Sequence, residues 1–258
     1  MNAGRQYRVS CWRGAYCSLG GKALAALVLL AGIVGASGCG VTHVRLNQGY
    51  REYVAADYPT VLKTWTRTGQ LVSIEQADEV LAVTATFESY DFRWAYVVRY
   101  AQDYRLSIEQ RSNLLHATLA ETRKYHQFYV ALYGSTWRWT DLTKPESGWV
   151  VRLIDDIGNE TAPTEILPVR RPGALESAYF PYTSPWRRVF RIRFPVESIS
   201  EQPTISTKAK WIGLRFAGVQ GSLELLWHLD WDYLRRGNSS NETLPAPRPS
   251  SGSEVRSL

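Results

Sequence analysis

Past Cys39 the chain contains no cysteine. That excludes a disulfide framework for whatever domain lies there and leaves burial alone to hold it together. It also excludes a thiol nucleophile in that region. Excess charge is scarce as well. The formal net charge of +6 includes Arg5, Arg8, Arg13 and Lys22 near the start, and the rest of the chain sets 26 basic residues against 24 acidic ones. So even a balance carries no electrostatic footprint for nucleic acid, and no nucleic-acid partner is expected. Long apolar runs are missing too: the run over residues 23–34 falls well short of the ~20 residues that a permanent membrane-spanning helix needs. There is no internal repeat of fixed period, no G-x-S-x-G nucleophile elbow and no EF-hand ligand spacing.

What is present begins with the leader. Its first 38 residues hold four cations and no acid, then the short apolar run, then the small residues Gly35, Ala36, Ser37 and Gly38 ahead of Cys39. Charge, apolar core and small residues in that order read as a secretory signal. The run Ala36-Ser37-Gly38-Cys39 resembles the lipobox of bacterial lipoproteins, with Ala36 where that class more often has leucine. The resemblance covers the leader and nothing beyond it. It implies that Cys39 is diacylated through its sulfur, that the signal over 1–38 is cut just before it, and that the new terminus is acylated too. Each methylene buried in lipid contributes ~0.8 kcal/mol and two chains suffice for stable attachment, so the expected partner is a membrane, held through acylated Cys39. Gly40, where a retention aspartate would keep such a protein in the inner membrane, directs the expectation to the outer membrane, facing the periplasm. An envelope protein is the expected second partner.

The 220 residues after position 38 suffice for one sizeable core. Residues 39–79 read as a tether, or over 41–48 as a first strand, with an N-terminal helix over 50–65 interrupted by Pro59 and ended by Gly69. Residues 80–87 are β-branched and largely alternating, which predicts a strand. Trp94, Val97, Val98, Ala101 and Tyr104 recur at helical spacing, and Ser107 with Gln110 has capping-box spacing, so 92–125 reads as a helical hairpin. Beyond it the period becomes two: 128–133, 149–154 and 189–194 alternate, 165–169 reads as an edge strand because Pro163 and Pro168 confine it there, and Gly218-Val219-Gln220-Gly221 reads as a hairpin turn. The pattern predicts a mainly β chain, an antiparallel sandwich of immunoglobulin-like form over 80–236 that carries the helical hairpin. The alternative is an α+β layer with helices on one face of a single sheet. Residues 237–258, rich in Ser, Asn, Pro and Gly, read as a disordered tail.

No set of residues commits the chain to a reaction, so no catalytic residue, cofactor or metal is expected. His43, His116, His126 and His228 lack the usual helical ligand spacing. Asp155, Asp156 and Glu160 are carboxylates that a hydrolase of envelope glycan or peptide would use, but beside Gly158 and Asn159 they also have the composition of a tight turn. Trp137 and Trp139 point the same way if the backbone is extended, and with Tyr182 and Trp186 they are the candidate binding surface, or else they pack in the core where a loop folds back on the sandwich. Arg187, Arg188, Arg191 and Arg193 beside it suit an acidic partner or lipid headgroups, or else form a solvated strand face. A non-enzymatic binding or scaffold module is the functional expectation.

Overall fold

In the computed structural model the alternating and β-branched segments become strands, ten of them among the described residues. The structure describes residues 41–73, 78–198 and 202–231; the leader, Cys39 and the tail lie outside the described residues. In chain order the elements are β1 (His43–Val44), α1 (Tyr58–Trp65), β2 (Thr66–Ser73), β3 (Asp78–Phe87), α2 (Tyr90–Asp103), α3 (Ile108–Glu121) and β4 (Tyr125–Gly134). There follow β5 (Trp149–Asp155), β6 (Glu160–Thr161), β7 (Glu165–Pro168), α4 (Ala174–Tyr179), β8 (Arg188–Pro195), β9 (Trp211–Gly218) and β10 (Gly221–Leu229). One sheet has the order β1-β10-β9-β5-β6 and the other β2-β3-β4-β8-β7. Every pairing is antiparallel except β1 on β10. The expected sandwich with helices is what the chain forms.

The first sheet has one wet face, and its strands alternate accordingly. Along β5 the buried Trp149, Val151 and Leu153 are separated by Val150 and Arg152, and outward-facing Arg215 pairs across the strands with Glu224 at 2.8 Å. The second sheet is different: all of Val80–Phe87 and Gln127–Leu132 is buried. One face of β3 and β4 meets the first sheet, where Phe87 and Phe128 pack on Trp227. The other face is covered by helical and loop residues, with Phe180 stacked on Tyr129 at 3.8 Å and Phe92 of α2 packed on Phe180. A sheet buried on both sides has no solvent face to enforce strict alternation.

The helical hairpin forms where its caps predict. The Ser89 hydroxyl accepts from the Phe92 amide to start α2, and Ser107 and Gln110 satisfy each other's amides at 3.1 and 2.9 Å to start α3. Arg93, 3 % exposed, fastens the hairpin by donating to the carbonyls of Glu88 and Thr118 and to the Glu121 carboxylate.

The fold begins well before residue 80, which corrects the tether assigned to 39–79. Pro59 does not interrupt the helix there. It lies in the first turn of α1, where its missing amide costs no intrahelical bond. Gly69 lies inside β2 rather than ending a helix, because β2 passes so close to β10 that an added Cβ would sit 2.9 Å from the Leu225 side chain. At this corner the indole of Trp227, fully buried, donates to the Trp65 carbonyl at 2.8 Å. Replacing Trp227 with Phe keeps a ring there but strands that carbonyl. The expected loss is about 1–3 kcal/mol in denaturant unfolding, against about 3–5 kcal/mol for Trp227→Ala. A Trp227→Phe variant as stable as wild type would show that the bond does not hold the corner.

Candidate functional site

β7 is an edge strand that ends at Pro168, and Pro172 four residues later cannot rejoin the ladder because it has no amide hydrogen. The chain therefore leaves the sheet, forms α4 and returns to start β8 at Arg188. Between this excursion and the segment after β4 lies a cavity of about 640 Å³, a size ordinary for small-molecule sites. Its lining includes five cations, Lys144, Arg170, Arg171, Arg187 and Arg188, against one carboxylate, Asp141.

That carboxylate is already engaged. Asp141 binds Arg188 at 3.1 Å and accepts from the Thr143 hydroxyl at 2.7 Å. Burial pushes its pKa up, but the bonds from the Thr143 hydroxyl and amide and the charges of Arg188 and Lys144 outweigh it and hold the carboxyl below its ordinary range. The Arg188 guanidinium lies over the Trp137 ring at 4.4 Å, a cation–π contact, while its buried Nε has no acceptor. Arg187 donates to the Thr84 hydroxyl at 2.9 Å. Among the described residues Lys144, Arg170 and Arg171 form no ion pair, and all three are exposed at the rim.

Of the four residues expected to make one binding surface, only Trp137 lines this cavity. Trp137 and Trp139 do not point the same way, since residues 137–140 form a 3-10 turn and not an extended segment. At about three residues per turn, positions two apart diverge. Trp139 instead packs on Gly148, where an added Cβ would lie 3.0 Å from its own. Tyr182 is a fastener: its hydroxyl bonds Thr86 at 2.6 Å and reaches the Tyr129 carbonyl at 3.3 Å, and burial pushes its pKa well up. Trp186 is 78 % exposed just before the cavity's arginines. The four arginines also divide. Arg191 and Arg193 are half-buried and engaged rather than a freely solvated face: Arg193 bonds Gln127 at 2.6 Å and Glu165 at 3.1 Å, and Arg191 lies over the Tyr129 ring.

The remaining candidates sit apart. Asp155 accepts from the amides of Ile157 and Asn159, and Asp156 from the Lys210 amide. Glu160 pairs with Arg215 at 3.3 Å, so these carboxylates are tied to their own hairpin and its neighbours. His43 and His228 face each other at 6.0 Å, His116 is exposed, and His126 is packed against Phe87. No metal-ligating group of three acids, histidines or cysteines forms among the described residues. Sequence reasoning missed Lys144, Arg170 and Arg171; the one local signal was the pair of arginines bracketed by Pro168 and Pro172. No protein-family model, curated protein or solved structure matches the chain.

Two outcomes follow from these placements. Removing the Tyr182 hydroxyl as Tyr182→Phe takes away one of the two partners of the Thr86 hydroxyl and is expected to cost about 1 kcal/mol of unfolding stability, whereas Trp186→Ala stays within about 0.5 kcal/mol of wild type; equal effects in denaturant titrations would contradict the contrast. The second concerns acid. Desolvation pushes His126 down to about 4, so below its unfolded pKa of ~6.5 the unfolded chain takes up a proton that the folded chain refuses. Stability is complete above that value and falls as pH drops toward 4. Between pH 7.5 and 5 the wild type is expected to lose about 1–2 kcal/mol more than His126→Gln, measured by denaturant unfolding at both pH values. Parallel losses would show that His126 titrates normally.

Proposed function

We propose that this chain is a lipid-anchored protein of the bacterial envelope, held by acylated Cys39 on the outer membrane facing the periplasm, and that it acts as a non-enzymatic binding module of a larger assembly. Two features support the reading. The leader and its lipobox supply the anchor. The arginine-lined cavity supplies a place to bind, and its chemistry is the observation that carries the non-enzymatic part. Its one carboxylate is ionised and paired with Arg188, whereas a general acid or base works best with a pKa near the operating pH. Cations with no partner, by contrast, suit recognition of negative charge.

The anchor is tested by mass spectrometry of the mature amino terminus from membranes, in wild type and in Cys39→Ser. The expected wild-type terminus is acylated Cys39 in the membrane fraction, and the variant is expected to leave that fraction. An unmodified terminus in the wild type would overturn the anchored reading.

A further inference from the structure

The arginine-lined cavity lets its ligand be described more closely, on the premise that it is the binding site of the module proposed above. We propose that it binds a phosphate group carried on a sugar-sized body, either a soluble sugar phosphate or the phosphorylated sugar headgroup of a lipid.

Charge is the first argument. Five cations face one carboxylate, and that carboxylate is spent on Arg188. The like charges of Arg170, Arg171, Arg187 and Lys144 repel one another across the cavity, and a dianion relieves that repulsion more fully than a monoanion. Arginine forks also fit the oxygens of a phosphate two at a time. Pre-organisation is the second argument. Arg188 cannot swing freely, because Trp137 backs its plane at 4.4 Å and Asp141 accepts from its Nη1 at 3.1 Å. Arg187 is held by Thr84. Two donors are thus fixed in the wall, and the rim cations Lys144, Arg170 and Arg171 can close on the anion.

Size and lining supply the body that carries it. A bare phosphate would fill a small fraction of about 640 Å³. The rest of the wall offers the hydroxyls of Thr143, Ser177, Thr183 and Ser184, which can exchange hydrogen bonds with sugar hydroxyls. Trp137, 48 % exposed, keeps ring surface on which a sugar can stack. The cations converge on one concavity and do not track along a face, which disfavours an extended polyanion.

The test uses the full-length protein purified in detergent and isothermal calorimetry with glucose 6-phosphate, glucose and inorganic phosphate. Flotation of the Cys39→Ser form, which lacks the proposed anchor, with phosphatidylcholine vesicles, with and without a diphosphorylated glucosamine lipid, forms the second arm. Each is repeated on Arg170→Gln/Arg171→Gln, whose exposed side chains form no ion pair, so that folding is preserved and can be checked by its melting curve. Glucose 6-phosphate is expected to bind more tightly than either glucose or phosphate alone, and the double variant to bind at least about tenfold more weakly. Phosphate-dependent capture by vesicles without binding of the soluble sugar phosphate would assign the headgroup source. Glucose binding as well as its phosphate, a double variant indistinguishable from wild type, or no binding in either arm would each overturn the proposal. The calorimetric arm does not depend on Cys39. An acylated chain that binds no phosphate probe loses this inference and keeps its anchor, and an unacylated chain that binds the probe does the reverse.

Discussion

Val80–Phe87 of β3 and Gln127–Leu132 of β4 are buried on both faces, and the rest of the molecule is arranged to satisfy that condition. Toward the first sheet the requirement is met by apolar packing, with Phe87, Phe128 and Trp227 in mutual contact. Toward the helices it is met differently, because the strands present Thr84, Thr86, Gln127 and Tyr129 there. Polar groups removed from water must find partners or cost several kcal/mol. They find them in a connected set: the threonines of β2 and β3 bond each other and Tyr182, while Gln127 links Glu88 to Arg193. Glu88 Oε1 and Arg93 Nη2 remain without hydrogen bonds, though Arg93 and Glu88 still attract each other at 3.6 Å.

This covering layer also decides where free charge can exist. β8 runs under it, so the arginines along that strand have different fates according to position. Arg191 and Arg193 fall beneath the hairpin and are used to hold it. Arg187 and Arg188, at the start of the strand, emerge beside the irregular segment that follows β7 and meet Arg170 and Arg171. A cation that a structural carboxylate already neutralises adds little to an external field, and one without such a partner adds its full charge. The near-zero net charge of the chain after residue 38 therefore conceals an uneven distribution, since acids pair within the fold and the cavity is left with cations.

How much of this could be read from residues alone depends on which physical rule governed each segment. The hairpin over 92–125 was legible because capping by Ser107 and Gln110 and the helical spacing of Trp94, Val97, Val98 and Ala101 are local properties. The edge strand before Pro168 and the turn between Gly218 and Gly221 were legible for the same reason. β2 was not, because Gly69 was read as a local terminator, whereas the strand pairs along β3 and its glycine sits where β2 passes close to Leu225 of β10, a contact between residues far apart in the chain. The binding surface was misread at Trp137 and Trp139, where a spacing rule for extended chain was applied to what becomes a 3-10 turn. Tyr182 was misread because an aromatic between prolines looks exposed until its hydroxyl is seen to reach Thr86.

The cavity's cations belong to a harder class. Lys144 comes from the segment after β4, Arg170 and Arg171 from the connection after β7, and Arg188 from β8, so their meeting is set by the pairing of β4 with β8 and β8 with β7. No pattern in any one segment carries that information. Register is what places them: Leu132 near the end of β4 lies opposite Arg188, and Pro168 opposite Phe190. A slip of one residue in either pairing would turn Arg188 to the opposite face of its strand and separate it from Trp137. The burial that locks β3 and β4 between two layers is thus also what holds the cationic wall in place, and a site built this way can be rigid without a single disulfide.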